Sequence, residues 1–568
     1  MKFSEMEYSR PDIESVVNTI EKYKKHIESA ESAEELMNII LEYDSVRKEF
    51  QTSSELAQIR HSIDTRDDFY ERENEFFNEN LPIVEIKENS LYSSILKSEF
   101  KTEVEKKIGR HFFDILECRL AVDERAVLYL QKENELSNRY EKIKANAEVE
   151  FEGEIYTITQ MAPFLEDKDR ERRKRAYKAV NGFYKANEEE IDYIFDELVK
   201  VRTEMAKSLG YENYIDLRYK VLMRTDYNYR DIEKYREKIR KYITPLAVKL
   251  RKKQAQRIGV KDFKFYDRAV VFKDGNSKPM GDSDFIIRNA QKMYSELSEE
   301  TGKFFDFMVE NELMDLVAKP GKMDGGYCTS LEEYKSPFIF SNFNGTNGDI
   351  DVITHEAGHA FQMYMSREKI LSQYLWPTYE ACEIHSMSME FLTWPWMNIF
   401  FGNDADKFKY YALLEAIYFI PYGATVDHFQ QFAYENPDAS PKERKAKYHE
   451  IEKMYQPDMD YDDEFLSSGT YWYRQGHIFT DAFYYIDYTL AQVCAFQYLI
   501  NSMENREKTI ESYMDICKAG GEYSFFRIME IGNIKNPMNT DVMEEVIPKL
   551  EKILEKLEGE ISKRQNMQ

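Results

Sequence analysis

Apolar residues recur at helical spacing along most of the chain. After a capping signal at Ser32 and Glu35, apolar positions follow the pattern i, i+3, i+4, i+7 as Leu36, Ile39, Ile40 and Tyr43. Side chains at this spacing share one face of a helix, so the segment predicts an amphipathic helix. Similar patterns occupy residues 1–145, 166–258 and 284–315, and nearly the whole chain after 366. The sequence therefore predicts a mainly α-helical fold, with a break at Asn80-Leu81-Pro82.

A few short segments change period and predict strands. Residues 147–158 alternate around Glu152-Gly153 as in a hairpin, and residues 263–272 alternate weakly. Residues 327–329 and 336–343 predict a small sheet, which a glycine-rich and asparagine-rich turn follows. An edge strand of that sheet could pair with an extended peptide, or the sheet could be scaffold only.

A chain of 568 residues is long enough for two lobes. Ala162-Pro163 ends the hairpin and predicts the boundary between them. We therefore expect an N-terminal helical region over 1–165 and a second region over 166–568, which carries the candidate chemistry.

Composition narrows the class of protein. The net charge is −26, from 78 basic and 104 acidic residues, which disfavours nucleic acid and anionic membranes as partners. Mean hydropathy is −0.65, and no run approaches the roughly 18–20 apolar residues of a membrane span. The N-terminus lacks the apolar core of a secretory signal, so we expect a cytoplasmic protein. Five scattered cysteines without a CxxC pair predict neither a disulfide framework nor a thiolate metal site.

The candidate chemistry centres on one helix. Its sequence is DVITHEAGHAFQ, which contains His-Glu-x-x-His at 355–359. Positions i and i+4 share a helix face, so His355 and His359 can hold one metal ion. Glu356 lies beside them, where a carboxylate can take a proton from a water that the metal activates. The flanking apolar positions recur at helical spacing and predict a partly buried helix: Ile350, Ile353, Ala357, Ala360, Phe361 and Tyr364.

A hydrolytic zinc site has three protein ligands and an open position. The metzincin pattern requires Gly at 362 and His at 365, but the chain has Gln362 and Met365, so that class is excluded. Carboxylates on a later helix are the alternative. Spacing alone leaves three candidates open: Glu380, Glu383 and Glu390.

HEAGHAFQ followed by EACEIHSMSMEF resembles the M3 family of zinc metallopeptidases, and within it the oligoendopeptidase group that includes Pz-peptidase. The resemblance extends over nearly the whole chain. In that family the third ligand opens a Glu-x-x-Ser-x-x-x-Glu pattern, which implies Glu383 here and one zinc ion per chain. Glu380 and Glu390 would then orient the ligand imidazoles or form ordinary salt bridges.

The same resemblance implies a second half of the site. Peptide hydrolysis builds negative charge on the carbonyl oxygen, and phenol or imidazole donors can stabilise it. The family uses a His and tyrosines from the region GHIFTDAFYYIDY, which implies His477, Tyr485 and Tyr488. The spacing from the histidine to the tyrosine is slightly shorter here than in the thimet oligopeptidase branch of the family. Tyr484 is therefore a rival to Tyr485.

We therefore expect a gluzincin-type metalloendopeptidase. The resemblance implies two helical lobes around a deep channel that admits short, unstructured peptides. A zinc aminopeptidase or carboxypeptidase of similar shape, or a non-catalytic peptide-binding protein, are the alternatives. Intact His355, Glu356, His359 and Glu383 count against the last of these. Oligomeric state does not follow from the sequence.

Overall fold

A computed structural model describes residues 1–565, and its fold is mainly α-helical with a small sheet, as predicted. Six helices form the N-terminal region: α1 Ile13–Glu28, α2 Ala33–Ile63, α3 Asp68–Lys97, α4 Lys101–Ile108, α5 Arg110–Arg119 and α6 Val127–Ala145. Helix α2 begins as expected, because the Ser32 side chain accepts a hydrogen bond from the Glu35 amide. Apolar residues of α1–α5 form a separate N-terminal core, which Leu371 and Tyr374 complete.

The predicted break at Pro82 is wrong, because α3 continues through it. Proline lacks the amide proton that would bond the carbonyl of Asn78. Two side chains of α6 compensate: Asn134 donates to the Asn78 carbonyl at 3.1 Å, and Gln131 donates to the Glu79 carbonyl at 2.6 Å. A tertiary contact thus satisfies the Asn78 carbonyl, which proline leaves open, and a second contact binds the adjacent Glu79 carbonyl.

The hairpin is present as β1 Val149–Phe151 and β2 Glu154–Tyr156, paired antiparallel. A second set of helices follows: α7 Ala162–Leu165, α8 Arg170–Ala186, α9 Glu188–Ser208, α10 Tyr214–Val221, α11 Tyr229–Lys238, α12 Thr244–Ile258, α13 Ser283–Leu297 and α14 Glu299–Glu310. The predicted region boundary at 165/166 falls directly after α7 and stays a prediction.

Residues 263–272 form a short 3-10 turn instead of the strand we expected. The buried Asp267 carboxylate binds Arg170 and Arg173 of α8, at 2.8 and 2.6 Å. The apolar alternation there reflects packing around this ion cluster.

The three-stranded sheet comprises β3 Met314–Val317, β4 Tyr327–Leu331 and β5 Ser336–Phe343. The strand order is β3-β5-β4, with β3 parallel and β4 antiparallel to the central β5. Strand β3 was missed, because its four residues follow directly on a helical pattern. Strand β4 lies at an edge of the sheet.

The remaining helices are α15 Gly348–Ser366, α16 Tyr379–Leu392, α17 Met397–Phe401, α18 Ala405–Glu435, α19 Pro441–Tyr455, α20 His477–Thr480, α21 Tyr485–Glu504, α22 Arg506–Ala519, α23 Phe525–Ile531 and α24 Thr540–Gln565. They share one large core with the sheet and the middle helices. Within residues 1–565, no helix combines the length and apolarity that crossing a membrane requires.

Helices α15 and α16 touch backbone to backbone at Gly358. A Cβ added there would lie 2.6 Å from Ser386 Cα and 2.7 Å from the His385 carbonyl oxygen. No side chain fits at those distances, so only glycine permits this approach. Because Gly358 lies inside the His-Glu-x-x-His motif, the contact sets the distance between that motif and α16.

We expect Gly358→Ala to separate the two helices. Overpacking of this kind costs about 1–3 kcal/mol, and the shift would move the motif away from the carboxylates of α16. Thermal unfolding should show a lower midpoint, and elemental analysis should show less metal retained per chain. Gly182→Ala is the matched control, since a Cβ at Gly182 on α8 meets nothing within 4 Å. A stable variant with full metal content would contradict this account.

Candidate active site

Two helices bring three ligand atoms together. His355 and His359 lie one turn apart on α15, with ring centroids 5.0 Å apart. From α16, Glu383 places Oε2 3.2 Å from His355 Nε2 and 3.3 Å from His359 Nε2. Among the described residues these three side chains form a group able to hold a metal ion.

The donor set fits zinc. Ligand bonds of about 2.0–2.2 Å at tetrahedral angles separate neighbouring donors by about 3.3–3.5 Å, close to the two N···O distances observed. Glu390 contacts His355 Nδ1 at 2.7 Å. If that nitrogen carries the proton, the Nε2 lone pair faces the site, which is the usual arrangement for a ligand imidazole. Ser386 donates a hydrogen bond of 2.8 Å to Glu383 Oε2.

The other two carboxylates of α16 have different surroundings. Glu390 orients His355, as one of the two alternatives anticipated. Glu380 is buried away from both imidazoles, and its charge interacts with Arg224. Burial, offset by Arg224, raises the pKa of Glu380 to about 7.

Glu356 is a buried carboxylate on the same helix as the two histidines. It is 6% exposed, and its Oε2 atom is buried without a hydrogen-bond partner. Burial raises the pKa of Glu356, while His355 and His359 oppose that rise. Desolvation by itself makes a carboxylate a stronger base than it is in water. Gly326, at the start of edge strand β4, approaches so closely that a Cβ there would lie 3.3 Å from Glu356 Oε1.

The segment from α20 to α21 forms the opposite wall. His477 Nε2 lies 3.1 Å from the Tyr488 hydroxyl, and the Tyr484 hydroxyl donates to Glu383 Oε1. Both tyrosines line the cavity above the ligands. Tyr485 is absent from that lining; its ring packs 5.1 Å from His477 and 5.5 Å from Phe419. Of the two rivals, Tyr484 is therefore the one in contact with a ligand residue.

Burial sets the protonation states of His477 and Tyr488 in this wall. Burial lowers the pKa of His477, so its imidazole is neutral at neutral pH. Burial, and then the charge of Glu383, raise the pKa of Tyr488 well above its ordinary value. Tyr488 therefore keeps its proton and can act as a hydrogen-bond donor.

Two buried arginines and one partly buried arginine bond the backbone of this segment. Arg202 donates to the Phe479 carbonyl at 2.6 Å, and Arg218 donates to the Ala482 carbonyl at 2.9 Å. Arg224 donates to both the Phe483 carbonyl and Asp487, each at 2.6 Å. Phe483 has φ +64°, a conformation that L residues rarely adopt, directly before Tyr484. Sequence reasoning missed these arginines, since nothing in their local pattern distinguishes them from surface cations.

The site opens into a cavity of about 850 Å³. Its walls are α15, α16, strand β4, the segment before α20 and the N-terminal helices. These helices contribute Arg47 of α2, Glu88 of α3, Arg119 of α5 and Lys144 of α6. The N-terminal region thus closes one side of the active-site cavity.

Comparisons with known proteins show the family of this chain. The profile of the peptidase M3 N-terminal domain matches residues 3–122, and that of peptidase family M3 matches residues 164–546. Oligoendopeptidase F of Lactococcus lactis subsp. cremoris is 23% identical over 457 residues, covering 74% of this chain and 70% of that protein.

Solved structures extend the likeness to the whole chain. Pz peptidase A with an inhibitor shares 48% identity and a TM-score of 0.97, covering 98% of this chain and 99% of that one. A Bacillus anthracis structure described as an oligoendopeptidase F shares 45% identity and a TM-score of 0.92, covering 99% of both chains. The resemblance drawn from the motifs is confirmed: the chain belongs to peptidase family M3 and is a metalloendopeptidase.

Proposed function

We propose that this peptidase is a zinc-dependent oligoendopeptidase that cleaves internal bonds of short, unstructured peptides in the cytoplasm. One observation carries the proposal. His355, His359, Glu383, the unpartnered Glu356 and the Tyr488 hydroxyl, which come from three separate helices, all face one cavity.

His355, His359 and Glu383 would hold the zinc ion. When bound, zinc would polarise a water molecule and the scissile carbonyl, the chemistry that a zinc peptidase requires. Glu390 and Ser386 keep two of the ligands oriented, by their contacts with His355 Nδ1 and Glu383 Oε2. Tyr484 binds the other oxygen of Glu383 and so restricts that carboxylate to one rotamer.

Glu356 acts as the general base and then as the general acid. Its carboxylate accepts the proton of the attacking water and delivers a proton to the leaving amine. Tyr488 donates its hydroxyl proton toward the oxygen on which negative charge develops, and His477 supports the phenol at 3.1 Å. Tyr485 packs behind His477 and supports the wall.

The substrate reaches Glu356 along strand β4. As an edge strand, β4 has unpaired backbone groups that an extended peptide can bond. Gly326 directly precedes β4, and a side chain there would press on Glu356, since its Cβ would lie 3.3 Å from Glu356 Oε1. A folded protein cannot offer an extended segment inside a cavity that helices enclose, so short peptides are the favoured substrates.

An N-terminally blocked, C-terminally amidated peptide separates the alternatives. We expect internal cleavage of such a peptide, with fragments identified by mass spectrometry. Activity should disappear with a chelator and return with Zn²⁺. An aminopeptidase would leave the blocked peptide intact, and a carboxypeptidase would release single residues from its unprotected form.

Glu356→Gln should abolish turnover while zinc stays bound. A general base contributes about 10²–10⁴-fold to the rate, and the amide cannot accept the proton of water. The measurements are kcat on a quenched fluorescent peptide and zinc content per chain. Glu300→Gln, an exposed position on α14, is the control. Retained peptidase activity in Glu356→Gln would contradict the role of general base proposed for Glu356.

Three Tyr→Phe variants test the opposite wall. Tyr488→Phe should lower kcat by about 10²–10³-fold with little change in KM, because a transition-state donor is lost. Tyr484→Phe should weaken zinc affinity by about 10–100-fold, because a ligand carboxylate loses its orienting partner. Tyr485→Phe should show the smallest loss of peptidase activity of the three. A larger loss of activity for Tyr485→Phe than for Tyr484→Phe would contradict the roles proposed for these two tyrosines.

A further inference from the structure

A chain of three polar contacts leads from helix α18 to the hydroxyl of Tyr488. The Tyr422 hydroxyl donates to Gln475 Oε1 at 2.9 Å. Gln475 Nε2 lies 2.9 Å from His477 Nδ1, and His477 Nε2 lies 3.1 Å from the Tyr488 hydroxyl. We propose that Gln475, held by Tyr422, is a positioning residue that selects the tautomer of His477 and thereby aims the Tyr488 proton at the substrate. This inference rests on the role proposed for Tyr488.

The direction of the chain follows from which atoms can donate. An amide nitrogen only donates, so His477 Nδ1 must accept from Gln475. The single proton of the neutral imidazole then lies on Nε2 and is donated to the Tyr488 oxygen. With that oxygen already accepting a hydrogen bond, the Tyr488 proton is free to point into the cavity. The oxyanion of the reaction needs a donor there.

The opposite orientation of the Gln475 amide would prevent Tyr488 from donating its proton into the cavity. With its amide turned over, Gln475 would accept from His477 Nδ1–H, and Nε2 would become an acceptor. The Tyr488 hydroxyl would then donate its hydrogen bond to the imidazole instead.

Tyr422 opposes that reversal. Its hydroxyl has no acceptor besides Gln475 Oε1 among residues 1–565, so turning the amide would leave its proton unpaired. Tyr422 is partly buried, and leaving a polar group shielded from water without a partner is unfavourable. Burial, and then Tyr485 and Tyr471, raise the pKa of Tyr422 well above its ordinary value, so the hydroxyl stays protonated. Its ring is held between Tyr471, at 6.0 Å, and Tyr485, at 5.8 Å.

The surroundings of His477 make the tautomer matter. Burial lowers its pKa, so one proton is shared between two nitrogens. Charged groups reach it from three elements, namely Asp481 after α20, Glu383 on α16 and Lys144 on α6. The tyrosine rings of 484, 485 and 488 pack around it, and it also lines the cavity. Gln475 is the only side chain bonded to Nδ1 in the part of the chain described here.

Two substitutions should remove the selection of one His477 tautomer. Gln475→Leu deletes the donor to Nδ1, and Tyr422→Phe deletes the anchor of the amide. We expect kcat to fall by about 10-fold or more for the first, within the range seen when an orienting partner is lost, and by less for the second. KM should stay within about twofold in both, since neither residue is proposed to bind substrate. Tyr471→Phe is the matched control: its ring packs against Tyr422, and its hydroxyl makes no hydrogen bond within residues 1–565.

Gln475→Glu separates selection of a tautomer from simple packing. The isosteric carboxylate accepts from Nδ1–H and raises the pKa of His477. Below that raised pKa both nitrogens carry protons, and Tyr488 remains free to donate. As pH rises through it, the remaining proton stays on Nδ1, Nε2 becomes an acceptor, and activity is lost. We therefore expect an alkaline limb in the kcat profile of Gln475→Glu that the native enzyme lacks. A packing role would give the same profile for both.

The imidazole can also be observed without turnover. In full-length protein labelled with ¹⁵N-histidine, His477→Gln identifies the His477 signals. The native protein should show the Nε2–H tautomer, and Gln475→Leu a mixture or the reverse. If Tyr488→Phe is impaired while both Gln475 variants keep native kcat, pH profile and tautomer, the inference is overturned and the proposed function stands. If Tyr488→Phe is fully active, the proposed role of Tyr488 fails, and this inference fails with it.

Discussion

The active site depends on how closely two helices approach each other. His355 and His359 belong to α15, and Glu383 belongs to α16, so the ligand set exists only where these helices meet. Gly358 permits that meeting, because its missing Cβ leaves room for the backbone of Ser386. The glycine lies between the two histidines in sequence, so the residue that allows close packing also belongs to the metal motif. Stability and chemistry are therefore tied to one contact.

The opposite wall is held by a different kind of interaction. Arg202, Arg218 and Arg224 donate to backbone carbonyls between His477 and Tyr484. Buried guanidinium groups require such partners, because an unpaired buried charge is costly. The arginines come from α9 and α10 and the residues after them, so the middle of the chain positions groups near its end. A strained residue such as Phe483 persists only where its surroundings hold it in this way.

The cavity combines contributions from the whole chain. The N-terminal helices close one side, strand β4 offers backbone groups on another, and the two walls of candidate site residues face each other across it. A separate N-terminal core supports the helices that close this side. Enclosure lowers the local dielectric, which strengthens hydrogen bonds inside the cavity.

The sequence by itself determined the chemistry of α15 and most of the helical fold. His-Glu-x-x-His needs only the periodicity of one helix, so His355, Glu356 and His359 could be assigned without any tertiary contact. Resemblance, and not spacing, singled out Glu383 among three carboxylates. Only the tertiary structure decided the rest. Helix α3 passes through Pro82 because Asn134 of α6 satisfies the freed Asn78 carbonyl, and β3 exists because β5 pairs with it. Phe483 has a left-handed conformation, and Arg224 donates a hydrogen bond to its carbonyl. Because this residue sets the start of α21, Tyr484 rather than Tyr485 touches Glu383. These outcomes depend on contacts between residues far apart in the chain, and no local pattern encodes such contacts.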